Sequence, residues 1–180
     1  EVETKSENEL LTIFHKHGNN IETAYYDDGT STSFEPSTYE EGITHKHKDI
    51  GIHRVILKVR KGIPALENLF LKNFYVKSPY RIHSVDISHV DFTEITSLKK
   101  LFDNCANVSE IILPAPGTKT PVLKNISGLF YNCQSLKAAD LRWIDSKVLE
   151  DISDLFKYCY ALESVDLSSI CTDHVTNMAN

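Results

Sequence analysis

The sequence predicts an α/β solenoid in which short parallel strands form a concave side and short helices form a convex side. The first observation behind this prediction is a phrase of leucine, phenylalanine, two residues and cysteine. It begins at Leu101, Leu129 and Leu155, so its copies are 28 and 26 residues apart. A fixed interval of this length is typical of supersecondary units that stack on one another. The second observation is that strand-like and helix-like apolar patterns alternate along the chain.

A short strand is predicted upstream of each copy of the phrase. Apolar residues occupy the first, fourth and sixth places of stretches that begin at Ile82, Val108, Leu136 and Leu162. The step from the fourth to the sixth place has the two-residue period of a strand. We therefore expect each strand to bury one face and to expose the other.

A short helix is predicted after each strand, because the apolar residues there are three or four positions apart. In one unit these residues are Ile95, Leu98, Leu101, Phe102 and Cys105. Such spacing places side chains on one face of a helix. Neither element can bury its apolar face alone, so stacking of the units is expected to form a continuous core.

The chain is predicted to have two parts, an N-terminal α+β cap over residues 1–51 and the solenoid over residues 52–180. Within the cap, apolar residues between Leu10 and Phe14 predict a helix over residues 1–18. The Asp28-Gly29 step between β-prone residues predicts a hairpin over residues 20–35.

The solenoid is predicted to consist of five units, the first of which is degenerate and contains an insertion at residues 74–80. The units are 52–81, 82–107, 108–135, 136–161 and the partial unit 162–180. The last unit stops before its own leucine-phenylalanine phrase. We expect either that the sequence is part of a longer protein or that a partner covers this boundary.

The repeated phrase resembles the leucine-rich repeats and, within them, the BspA-like repeats of surface proteins. The resemblance rests on Phe156, Cys159 and Leu162, followed by the stretch Val165-Asp166-Leu167-Ser168, and it covers residues 82–180. It implies a solenoid that displays a binding surface at the cell surface or in a secreted protein. It also implies a role in adhesion or host interaction.

Composition argues against two classes of partner. The chain has a net charge of −6, whereas nucleic-acid binding requires clustered lysine and arginine. No apolar run approaches the length of about 18 residues that a membrane-spanning helix needs. Neither nucleic acid nor membrane insertion is therefore expected.

Three cysteines recur at the repeat interval, namely Cys105, Cys133 and Cys159. They do not form the closely spaced pairs of a zinc site, and a catalytic thiol needs an open, electropositive setting. We therefore expect them to pack in the core. The sequence shows no signature of a catalytic, metal or cofactor site, and we expect a protein that is not an enzyme.

The outward positions of the predicted strands are the candidate ligand-binding site on the concave face. The candidates are Asp86, Glu110, Ile112, Asp140, Arg142, Trp143 and Asp166. Trp143 follows a strand directly, so it either forms an exposed anchor or fills the turn between units. The three aspartates either contact a ligand or make local hydrogen bonds within each unit.

These observations predict a non-enzymatic interaction or adhesion module that binds a protein or a glycan-bearing surface. Two other interpretations remain open at this point. The repeats could stiffen a longer surface protein as a structural spacer, or they could form the targeting arm of a secreted effector.

Overall fold

A computed structural model describes residues 2–4, 10–12, 21–33, 44–46, 51–70 and 81–180 of the chain. Regular secondary structure in these ranges consists of short strands. The strands are β1 (Val2–Thr4), β2 (Leu10–Thr12), β3 (Ile21–Tyr26), β4 (Ser31–Ser33), β5 (Thr44–Lys46), β6 (Gly51–His53), β7 (Val55–Val59), β8 (Arg81–Ile82), β9 (Ser84–Asp86), β10 (Glu110–Ile112), β11 (Ala138–Asp140) and β12 (Ser164–Asp166). They form the sheets β6-β1-β8, β4-β3-β7, β2-β5, β10-β9 and β11-β12.

The N-terminal sheets are antiparallel, and β3 is the central strand of one of them. A hairpin joins β3 to β4 at the predicted turn, where the Gly29 N–H donates to the Tyr26 carbonyl at 3.1 Å. Gly29 has a φ of 84°, a left-handed conformation that glycine adopts without steric cost. Ile21 and Ala24 are fully buried, so β3 contributes to the core.

Among the described strands, the two parallel pairs both follow β8. Val85 of β9 lies opposite Ile111 of β10, and Ala139 of β11 lies opposite Val165 of β12. The central residues Val85 and Ala139 are buried. The residues on either side of them are more exposed, so β9 and β11 have the alternation that the sequence predicts.

The predicted α/β solenoid with short helices is wrong. The described residues contain no helix, and their strands form small separate sheets, three of which are antiparallel. The segments that were predicted as helices are runs of turns. The error arises because apolar residues three and four positions apart also fit consecutive turns that bury one side.

Backbone hydrogen bonds explain why these segments are not helical. The N–H groups of Leu98, Lys100 and Phe102 donate to carbonyls in the next unit at 2.8 to 3.0 Å, and their acceptors are Asn125, Ser127 and Leu129. In an α-helix the same N–H groups would donate to carbonyls four residues earlier in the same unit. The units are therefore joined by their backbones rather than by side chains alone.

Left-handed residues recur within these segments and interrupt any helix. Lys100, Gly128 and Asp154 occupy equivalent positions and have φ values of 54°, 59° and 52°. A second set four residues later has φ values of 62°, 56° and 64°, and its members are Asn104, Asn132 and Tyr158. A right-handed helix requires negative φ throughout, so a reversal at this spacing favours turns.

The predicted helix over residues 1–18 is also wrong where the structure describes it, because β1 and β2 are strands. The predicted insertion at residues 74–80 lies outside the described residues. The predicted boundary after residue 51 falls inside β6. Strands on the two sides of this boundary also pair, since β7 pairs with β3. The division into two parts stays a prediction.

The core runs along the direction in which the units stack. Phe70, Phe102, Phe130 and Phe156 lie one above another, with successive ring centroids 5.5, 5.5 and 5.4 Å apart and nearly parallel. A ladder of single parallel bridges follows the same direction, through Ala65, Ser97, Asn125, Asp151 and Asn177. Each unit therefore completes the core of its neighbours.

Candidate functional site

Partly or fully exposed side chains of the strand pairs β9–β10 and β11–β12, together with Arg142 just after β11, make up what we call the strand face. It consists of six of the predicted site residues, namely Asp86, Glu110, Ile112, Asp140, Arg142 and Asp166. The parallel register sets Asp86 opposite Ile112 and Asp140 opposite Asp166. Pairing of the strands therefore brings side chains together that lie 26 residues apart in the sequence.

The guanidinium group of Arg142 bridges two of the aspartates. Its Nη2 lies 2.6 Å from the Asp140 carboxylate, and its Nε lies 3.3 Å from the Asp166 carboxylate. The side chains are 43 to 49% exposed, so solvent screens the pairs and they stabilise the fold only weakly. Their effect is to hold a planar cation in one orientation at the surface.

The hydrogen bonds that Asp140 accepts lower the pKa of its carboxyl to about 2. The largest contribution comes from the Arg142 side chain, and the next comes from the Arg142 backbone N–H, which donates at 3.0 Å. The same ion pairs raise the pKa of Arg142. The cluster is therefore fully ionised at neutral pH, with two negative charges and one positive charge.

Local hydrogen bonds fix the other aspartates of the strand face. Asp86 Oδ1 accepts from the Ser88 backbone N–H at 2.9 Å and from the Ser88 hydroxyl at 2.6 Å. Asp166 Oδ1 accepts from the Ser168 backbone N–H at 2.9 Å. These bonds lower the pKa of both carboxyl groups. The aspartates of the strand face thus make local hydrogen bonds, and these bonds keep each carboxylate charged and oriented.

Trp143 fills the turn between units and is not an exposed anchor. Its side chain is only 1% exposed, and its ring centroid lies 5.0 Å from that of Phe92. The indole Nε1 is buried, and within the described residues it has no hydrogen-bond partner. Trp143 is therefore removed from the set of residues that can contact a ligand.

Ile112 is the apolar member of the strand face. It is 43% exposed, and its neighbour two positions earlier, Glu110, is also exposed. An exposed isoleucine beside ionised groups can bury area against a partner while the charges set the orientation.

The recurring cysteines lie on the buried side of the stack. The thiols of Cys105, Cys133 and Cys159 donate to backbone carbonyls of the preceding unit at 3.5, 3.2 and 2.9 Å. Burial raises the pKa of Cys133 and of Cys159, so both remain thiols at neutral pH. Across the described ranges, no group of three or more His, Cys, Asp or Glu side chains could hold a metal ion.

A cluster of tyrosines on the turn segments was missed by the sequence reasoning. Tyr158 is 44% exposed and Tyr160 is 76% exposed, and Tyr131 meets Tyr158 edge to face at 5.3 Å. Lys100 lies 5.3 Å from the centre of the Tyr131 ring. Tyr131 and Tyr158 lie inside two copies of the repeated phrase, between its phenylalanine and its cysteine, and this recurrence is a signal that could have found them.

Comparison with protein-family models, with curated proteins and with solved structures finds no match to this chain. The resemblance to BspA-like leucine-rich repeats therefore stays a prediction. Over the described part of the chain, no helix is long and apolar enough to cross a membrane.

Proposed function

We propose that the chain is a non-enzymatic interaction module of a secreted or cell-surface protein and that it binds its partner through the strand face. The observation that carries the proposal is the Arg142 bridge, which presents an oriented cation between Asp140 and Asp166 at half-exposed positions. Arginine is enriched where interfaces concentrate their binding energy. The partner is a protein or a glycan-bearing surface, in line with the family resemblance.

The guanidinium group can bind a partner without losing its aspartates. It has five N–H groups, of which the two carboxylates engage those on Nε and Nη2. Within the described residues Nη1 has no hydrogen-bond partner. A carboxylate or a carbonyl of a partner protein, or a sugar hydroxyl, is an acceptor that suits this position.

The burial of two cysteines makes them compatible with the proposed extracellular location, whereas the free and partly exposed Cys171 argues against it. All four cysteines are free, and the two innermost, Cys105 and Cys133, are buried. The thiolate is the form that reacts with oxidants, and burial disfavours it. These two thiols are therefore compatible with an oxidising compartment.

A structural spacer is the second candidate function, because the phenylalanine stack is continuous through four units. Backbone hydrogen bonds between units accompany the stack, so bending the structure would break several of them together. Such a stack can hold other domains apart without binding anything itself.

A binding screen separates the two functions. The full chain is screened against arrays of displayed extracellular proteins and of glycans, beside the double variant Asp140→Ala/Arg142→Ala. The matched control is Lys124→Ala/Glu150→Ala, which removes an exposed ion pair of 2.9 Å from the turn segments. Both variants leave the net charge unchanged.

We expect hits that the strand-face variant loses and the control variant keeps. Hits that survive in the strand-face variant would contradict the strand face as the binding site. A screen without any hit would favour the spacer. Trp143 is left intact, because truncating a buried tryptophan would destabilise the fold.

A further inference from the structure

The strand face is interrupted between β10 and β11. β9 pairs with β10 and β11 pairs with β12, but among the described strands β10 and β11 do not pair with each other. Most Cα–Cα distances between β10 and β11 exceed 8 Å, whereas neighbouring strands of a sheet lie about 4.8 Å apart. We call this interruption the seam. It lies between unit 108–135 and unit 136–161, and it divides the strand face into two halves.

The seam lacks the backbone hydrogen bond that ends the other strand pairs. The Ile87 N–H donates to the Ile112 carbonyl at 3.0 Å, and the equivalent Leu141 N–H donates to the Asp166 carbonyl at 2.9 Å. Leu113 is the equivalent residue at the seam, and its N–H has no acceptor within the described residues.

The bond at the start of the strands is missing from the seam as well. The Ser109 N–H donates to the His83 carbonyl at 3.2 Å, and the Glu163 N–H donates to the Lys137 carbonyl at 2.8 Å. At the seam the equivalent donor is the Lys137 N–H, which has no acceptor in the part of the chain that the structure describes. The strands are therefore apart over their whole length.

The sequence of unit 108–135 explains the seam. In three other units the backbone N–H of Ser88, Arg142 or Ser168 donates to the aspartate two residues earlier and so fixes the end of the strand. In unit 108–135 the equivalent residue is Pro114, which has no N–H, and an isoleucine replaces the aspartate. This unit therefore cannot end its strand as the other units do.

The same two units remain joined on the turn side. The Ile126 N–H donates to the Asp151 carbonyl at 3.0 Å, and the Phe130 N–H donates to the Leu155 carbonyl at 3.1 Å. The rings of Phe130 and Phe156 are stacked there at 5.4 Å. The junction is therefore closed along the turn side and open along the strand side.

A contact between two rings fills the core near the seam. Phe92 and Trp143 lie two units apart, yet their ring centroids are 5.0 Å from each other. The residue equivalent to Phe92 in the unit between them is the small Thr120, which leaves room for this contact. No directional bond accompanies it, because the indole N–H has no partner within the described residues. The rings keep the core filled without fixing the two halves to each other.

We propose that the seam is a hinge in the strand face. Residues 136–180 move as one body against the units before them, so the strand side opens and closes while the turn side stays joined. The β11–β12 pair and the Arg142 bridge hold this body together, and the β9–β10 pair holds the other half. Residues 115–117 are exposed and connect the halves, so they can absorb the change in backbone angles.

Closure of the hinge changes the geometry of the strand face. It brings the Arg142 bridge towards Ile112, and the Leu113 N–H then donates to the Asp140 carbonyl as its equivalents do in the other strand pairs. The inference depends on the junction alone and needs no partner. The hinge and the proposed binding function can therefore fail independently of each other.

The first measurement is amide hydrogen exchange of the full chain, followed residue by residue by NMR. Relative to its intrinsic rate, the Leu113 amide should exchange at least about tenfold faster than the amides of Ile87 and Leu141, because only the latter two are hydrogen-bonded across strands. Exchange of Leu113 that is as slow as that of its equivalents would show a closed seam and would overturn the proposal.

The second measurement is relaxation dispersion of the backbone nitrogens, which detects motion on the microsecond to millisecond timescale. We expect dispersion at Leu113 and Ala138, on the two sides of the seam, and none at Ile126 and Phe130 on the turn side. An absence of dispersion at the seam would mean that the strands are apart but fixed, which contradicts a hinge. Equal dispersion on the turn side would mean that the units separate as a whole, which also contradicts it.

A pair of variants tests the cause. Ile112→Asp/Pro114→Ser gives unit 108–135 the aspartate and the N–H of the other units, so exchange of Leu113 should slow by at least about tenfold and the dispersion should disappear. The matched control Ile112→Asp/Pro116→Ser has the same composition and charge but keeps Pro114, and both readouts should stay within about twofold of the unchanged chain. Equal behaviour of the two variants would contradict the role of Pro114. If the first variant does not fold, the two measurements on the unchanged chain still decide.

Discussion

The inner units 82–107 and 108–135 and the last complete unit, 136–161, carry the same repeated phrase but bury it to different extents. Phe102 and Phe130 are fully buried, whereas Phe156 of the last complete copy is only half-buried. The strands show the same effect one unit later, because Leu141 of unit 136–161 is fully buried whereas the equivalent Leu167 of the partial unit 162–180 is 43% exposed. The difference teaches that burial in this molecule comes from having a neighbour on both sides. A unit does not contain a core of its own.

Removing a phenylalanine ring from the stack is expected to give the largest effect. Phe130→Ala should lower the free energy of unfolding by about 3 to 5 kcal/mol, because it leaves a cavity between two other rings. Phe156→Ala should cost less than half as much, since this ring already contacts solvent. Urea unfolding of the two variants tests this, and equal losses would show that burial does not depend on the neighbouring units.

The cysteines provide the same comparison without a mutation. Cys133 is fully buried in an inner unit, and Cys159 is half-buried in the last complete unit. We expect Cys159 to react with a thiol reagent at least about tenfold faster than Cys133 under native conditions. Mass spectrometry of partly labelled protein measures both rates. Equal rates would mean that the two units open together.

The residues with left-handed backbone conformation allow a comparison of the backbone at equivalent positions of two units. Gly128→Ala should destabilise by about 1 to 2 kcal/mol, because its φ is 59° and the added Cβ would lie 3.1 Å from Lys100 Cγ. The opposite change at the equivalent position, Asp154→Gly, should stabilise by less than about 1 kcal/mol. That gain is reduced because the ion pair with Lys157 is lost.

Urea midpoints of these two variants provide the measurement. A stable Gly128→Ala protein would argue against the left-handed turn, and so would a strongly destabilised Asp154→Gly protein.

The smallest effect on stability is expected from protonation of the Asp140 carboxylate at low pH. Its carboxyl has a pKa of about 2 in the folded chain, against about 3.9 when unfolded. Because the folded value is the lower one, the carboxylate contributes stability that is complete above about pH 4 and is lost as pH falls towards 2. The variant Asp140→Asn should therefore show a flatter decline in stability between pH 4 and pH 2.

An NMR titration of the Asp140 carboxyl checks the cause of this shift. In Arg142→Gln the pKa of Asp140 should move up towards its ordinary value. An unchanged pKa in that variant would show that Arg142 does not hold the carboxylate.

The sequence predicted the parts of this structure that depend on local periodicity. The short strands around Val85 and Ala139 lie where the two-residue alternation placed them. The predicted helices were wrong because turns and helices have a similar spacing of apolar residues. What distinguishes the two here is that the backbone N–H groups donate to carbonyls of another unit. Phe102, for example, donates to Leu129, and no local pattern encodes that acceptor.

The candidate site could be predicted only in part, because some of its features follow from local alternation and others depend on contacts between units. The exposure of Asp86 and Ile112 follows from strand alternation. The contact between Arg142 and Asp166 depends on the register of two units and could not be derived from either one. Whether Trp143 was an anchor or a filler depended on the space beside Phe92, which the sequence does not specify.

The central claim is that backbone hydrogen bonds between units take the place of helices, and NMR couplings across hydrogen bonds test it most directly. The amide nitrogen of Phe102 should show a coupling to the carbonyl carbon of Leu129, its acceptor at 3.0 Å. A coupling from Phe102 to the carbonyl carbon of Leu98, four residues earlier, would mean that the segment is an α-helix and would contradict the account.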